Sequence, residues 1–129
     1  MPTLTVSTVV TYGSTTPDGS VPTREPYTYT ITYSQESVKT LQFAASATDV
    51  PVALDTITAP KFLLIQALDT DVTVKLSDGV VATPTPTALS ATQGWLLISN
   101  PNGQPIKQFL VTTPASPVTG ARVKFLAFS

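Results

Sequence analysis

The sequence predicts an all-β protein: an antiparallel β-sandwich, jelly-roll-like, of about seven or eight strands with an extended N-terminal arm. Three observations carry this. Short apolar runs alternate with a period of two, as strands do, and no stretch holds a convincing helical period. Turn signals rich in Gly, Pro, Asn and Asp part those runs at roughly even spacing, the pattern of a sandwich. The 129 residues include 12 prolines, and threonine, β-branched and favoured in strands, stands where Lys and Glu usually supply polarity.

Taken in order, residues 3–12 set Leu4, Val6, Val10 and Tyr12 against Thr3, Thr5 and Thr11, with Val9 out of phase. This is a strand or an extended arm. The segment GSTTPDGSVPTREP (13–26) has no periodicity and is long for a loop inside a compact domain. The expected division is therefore an N-terminal arm, 1–26, and a sandwich domain, 27–129. Tyr27–Ser34 has the strictest alternation, with Tyr27, Tyr29, Ile31 and Tyr33 on one side. Val38–Ala45 follows, its dry face Leu41, Phe43 and Ala45. Residues 46–60 carry turn chemistry, with Val52, Leu54 and Ile57 dipping into the core.

Lys61–Ser77, KFLLIQALDTDVTVKLS, is the organising stretch. Phe62–Leu68 is apolar enough to be covered on both faces. Asp71–Ser77 alternates, with Val72, Val74 and Leu76 inward. A tight turn at Asp69-Thr70 joins the two as a hairpin. Asp78-Gly79 is a further turn signal, and the prolines of ATPTPT favour an extended edge. GWLLIS (94–99) reads as a buried run with Trp95 in the core, NPNGQP as a turn. Ile106–Thr113 and Ala121–Phe128 are the last strands, the latter turning Val123, Phe125 and Ala127 inward.

Composition narrows function mainly by exclusion. Only 12% of residues are charged and the net charge is −1, with the seven cations scattered. Nucleic acid or an anionic membrane would require a clustered basic patch. No cysteine or histidine is present, which removes disulfides, thiolate nucleophiles, ordinary zinc sites and imidazole catalysis. The N-terminus lacks the basic and apolar regions of a signal peptide, so manufacture in a cytoplasm is expected. No apolar run approaches the ~18 residues of a membrane span.

Asp69, Asp71 and Asp78 offer oxygens near one turn, but calcium takes six to eight and no full loop motif is present. Turn formation explains them better. Glu36, Asp49 and Asp55 could pair as hydrolytic carboxylates only in a cleft at a set separation. No residue is therefore assigned a catalytic, metal-binding or cofactor-binding role. The apolar side of the arm (Leu4, Val6, Val10, Tyr12) and the tyrosine row (Tyr27, Tyr29, Tyr33) are the candidate partner-binding residues. Tyrosine joins a large apolar body to a polar tip, which suits interfaces. The same row facing solvent would be a platform for stacking sugars.

KFLLIQALDTDVTVKLSDG, GWLLIS, the Ile106–Thr113 strand and the terminal ARVKFLAF resemble the small β-sandwich modules of tailed-bacteriophage virions: capsid decoration (cement) proteins and head- or tail-fibre proteins. The resemblance spans about residues 60–129 and lies in pattern. It implies a homotrimeric structural protein on the outer surface of a viral capsid, bound to the major capsid protein or another virion protein. It also implies an N-terminal arm docked on a neighbour. The alternative expectation is a carbohydrate-binding module or a fibre component that attaches to a host glycan.

Overall fold

The computed structural model describes residues 1–12, 23–80, 82, 86–92, 94–99, 105–115 and 121–129. They divide into two units, Met1–Tyr33 and Ser34–Ser129. The division falls at Tyr33/Ser34, not at 26/27, because the tyrosine strand pairs with the arm. The expected loop is strand from Thr23 onwards; its remainder, 13–22, lies outside the described residues, as do most of NPNGQP and the end of the TPASPVTG turn.

The first unit is a two-stranded antiparallel ribbon of β1 (Thr3–Tyr12) and β2 (Thr23–Thr32). It is in register from Thr3 opposite Thr32 to Tyr12 opposite Thr23. The Tyr33 N–H donates to the Pro2 carbonyl at 3.1 Å, extending the ladder by one step. Pro26 lacks an N–H and is tolerated because both strands of a ribbon are edges.

The second unit contains β3 (Glu36–Phe43), β4 (Val50–Ala53), β5 (Phe62–Ala67), β6 (Val72–Ser77), β7 (Thr87–Leu89), β8 (Trp95–Ser99), β9 (Gln108–Thr112) and β10 (Ala121–Phe128). One sheet runs β3-β10-β5-β8 and the other β4-β9-β6-β7, every described pairing antiparallel. Except for β6 to β7, each connection carries the chain from one sheet to the other. This is an antiparallel β-sandwich with jelly-roll-like connectivity. The sequence reading missed β4, which is bracketed by residues with left-handed backbone, Asp49 (φ 47°) and Asp55 (φ 57°). Short polar side chains tolerate that conformation, so a strand between them reads as turn chemistry.

The core is built from both sheets. Phe43, Leu63, Ile65, Val123 and Phe125 come from one; Val52, Val74, Phe109 and Val111 come from the other. Phe109 meets Phe125 edge-on with ring centroids 5.5 Å apart, the geometry that sets a positive ring edge on a negative face. Val52, Leu54 and Ile57 are buried as expected. So are Phe62 to Ile65, which makes β5 a strand covered on both faces. Thr113, itself buried, pins the β3–β4 loop: its hydroxyl donates to the Ala44 carbonyl at 2.7 Å and accepts from the Ala47 N–H at 2.9 Å.

Two expectations are corrected. Phe62–Leu68 and Asp71–Ser77 are not a hairpin, because β5 and β6 belong to opposite sheets. The Leu68 N–H still donates to the Arg122 carbonyl of β10, and the chain then arches across the sandwich. An arch and a hairpin need the same apolar pattern, so periodicity cannot separate them. GWLLIS is not a buried run, and Trp95 is 57% exposed. β8 is an edge strand, with Leu96 and Ile98 packed on the core and Trp95, Leu97 and Ser99 turned outward.

Candidate functional site

The ribbon has two chemically distinct faces. Opposed residues of an antiparallel pair point the same way, so the register gathers Leu4 with Ile31, Val6 with Tyr29, Thr8 with Tyr27, Val10 with Glu25 and Tyr12 with Thr23 on one face. Tyr33, opposite Pro2, shares their parity. All the sequence-predicted partner residues are thereby brought to one side, with Tyr33 one step beyond the regular strand.

The other face is a ladder of hydroxyls. Thr5 meets Thr30 and Ser7 meets Thr28, each pair of side-chain oxygens 3.3 Å apart. Val9 and Pro26, which are opposed, interrupt it. Cross-strand hydroxyl pairs contribute little individually but hold the register that keeps the apolar face together.

The apolar face is graded along its length. Leu4, Val6, Tyr29 and Ile31 are half-buried near its base, while Val10, Tyr12 and Tyr27 are exposed towards its far end. There the Glu25 carboxylate accepts hydrogen bonds from the Tyr12 hydroxyl at 3.0 Å and the Tyr27 hydroxyl at 2.8 Å. The bond to Glu25, with a smaller contribution from burial, raises the Tyr27 phenol above its ordinary range. Glu25 thus ties the hydroxyl ends of two exposed tyrosines to one carboxylate on an open face. Sequence reading passed over it because the prolines around it read as loop. The signal was the odd-numbered alternation Thr23, Glu25, Tyr27, which carries the strand two steps further back.

Five other carboxylates among the described residues are engaged structurally. Arg122 donates to both oxygens of Asp69, at 2.6 and 2.7 Å, and holds that carboxyl below its usual range. Asp71 accepts the Ala91 N–H, and Asp78 the Val80 N–H in the turn that Gly79 completes at φ 97°. Asp49 takes Lys75, and Asp55 takes Lys39 and the buried Ser37 hydroxyl. Lys39 first, then Ser37, lowers the Asp55 carboxyl. Among the described residues no group of three or more acidic side chains could hold a metal ion, and no helix is long and apolar enough to cross a membrane.

No protein-family model, no curated protein and no solved structure matches the chain.

Proposed function

We propose that this is a structural interaction protein: a β-sandwich that presents a two-stranded ribbon as its docking element and assembles with copies of itself and with a larger shell. The single observation that carries this is the ribbon's amphipathic register. Apolar and aromatic side chains line one face of a sheet that has only two strands. Such a ribbon is marginal alone in water and gains most by laying its apolar face on a partner. Exposed tyrosines held on one face are what interfaces favour.

The resemblance to phage decoration and fibre modules supplies the partner class. In this reading the shell is a viral capsid, the partner its major capsid protein or another virion protein, and the assembly a homotrimer on the outer surface.

The test uses residues already exposed, so the fold is left intact. Val10, Tyr12 and Tyr27 are changed together to Ser. Light scattering reports self-association and co-sedimentation with purified capsids reports attachment. Loss of either, with an unchanged circular dichroism spectrum, is expected. A variant that assembles and attaches as the parent does would sink the reading.

A further inference from the structure

The outward surface of the β3-β10-β5-β8 sheet carries a second feature, independent of the ribbon. Register places Thr40, Lys124, Gln66 and Trp95 in one row across the four strands: Lys124 lies opposite both Thr40 and Gln66, and Gln66 lies opposite Trp95. The next residues along those strands, Phe125, Ile65 and Leu96, pack into the core, so the row faces outward. A cavity of about 210 Å³ opens at its end, lined by Gln66, Ala91, Thr92, Gly94 and Trp95. A Cβ built on Gly94 would meet nothing within 4 Å among the described residues beyond its chain neighbours.

We propose that this groove is a binding subsite for neutral carbohydrate, with one pyranose ring stacked on the Trp95 indole. The apolar face of a sugar ring matches an aromatic face, and an exposed indole loses little by being covered. The Gln66 amide both donates and accepts, and the Thr92 hydroxyl does the same, which is what adjacent sugar hydroxyls require. The cavity is smaller than the roughly 300–1,000 Å³ of sites for larger ligands, and suits a single ring. From Trp95 the row runs on through Gln66 and Lys124 to Thr40 in three steps of ~4.8 Å, about 14 Å of polar track for a short oligosaccharide. Charge argues against a nucleic acid strand. The row itself holds one cation, Lys124, and the adjacent Arg122 is taken by Asp69, whereas a phosphate backbone requires several.

Trp95 is the sole tryptophan, so its emission reports this groove directly. The full chain is titrated with maltotetraose, cellotetraose and chitotetraose, and separately with a ten-residue oligothymidylate. A saturable emission change with at least one of the sugars is expected. Calorimetry should then show binding to that sugar about tenfold weaker in Gln66→Ala and Trp95→Ala, and better retained in Trp95→Phe, which keeps an aromatic face. The Val10, Tyr12 and Tyr27 triple variant should bind it unchanged, which separates this site from the ribbon. Absence of saturation with all three sugars at millimolar concentration overturns the proposal. So does a response to oligothymidylate alone, or a Trp95→Ala protein that instead changes its oligomeric state, which would make the indole a subunit contact.

Discussion

Single residues in this protein often combine roles, and Asp55 shows why. It adopts a left-handed backbone at the end of β4, and its carboxylate ties Ser37 and Lys39 of β3 to that turn. Asp69 does the corresponding work for Arg122 of β10. Both carboxyls are held below their ordinary range, Asp55 chiefly by Lys39 and Asp69 chiefly by Arg122. A carboxyl depressed in the folded state stabilises fully above its unfolded value of about 3.9 and loses that contribution as pH falls through the folded value. The melting temperature should therefore hold nearly level from about pH 5 to 8 and fall below about pH 4. Asn keeps the left-handed backbone tolerable at position 55, so the double variant Asp55→Asn, Asp69→Asn should show a smaller drop between pH 7 and pH 3. An acid limb as steep as the parent's would show that these pairs do not govern it. Such pairs were illegible in the sequence: the carboxylates could be found, but their partners lie 16 to 53 residues away. Glu25 was hidden differently, since a proline beside it argued for a loop.

At the scale of elements, β5 was the most legible because a continuous apolar run has few alternatives to burial. Its two faces differ in kind. Ile65 belongs to the core between the sheets, whereas Leu64 lies on the outward face opposite Leu97 and Leu126. Ile65→Ala should cost ~2–5 kcal/mol, lost transfer energy plus a residual cavity. Leu64→Ala should fall at the low end of that range, both read from denaturant midpoints with unchanged slopes. A Leu64→Ala protein as stable as the parent would mean that the outward face of β5 is bare. Strand existence was readable for β1, β3, β6 and β10 from alternation alone, and inward parity for the last three. Sheet membership was not: alternation says which way a side chain points and not which strand stands beside it. Hence the arch at Asp69-Thr70 passed for a hairpin and the edge strand β8 for a buried one. β4 escaped because its four residues sit between two left-handed turn residues.

The whole molecule joins units of unequal cohesion. The sandwich has two sheets closed over an interdigitated core, and the ribbon is one pair of strands. Opening free energies follow that difference, since stability varies locally with buried contacts. Amide hydrogen exchange on the free protein should find β5 and β10 the slowest and β1–β2 the fastest. Uniform protection across both units would contradict this. The position of β10 has a consequence in time. The first and last strands of the sandwich are neighbours, Glu36 beside Phe128 and Phe43 beside Ala121, so its sheet cannot close until nearly the whole unit has been gathered. All-β topologies with such distant pairings fold in roughly milliseconds to seconds. The ribbon's strands are near each other in the chain, and hairpins form in about 1–10 μs. The ribbon's register can thus be reached, though held only marginally, while the sheets of the sandwich are still open. Where ribbons associate as proposed, refolding at high concentration should bring half-built chains together through them, and dilution during refolding should raise the yield of native protein.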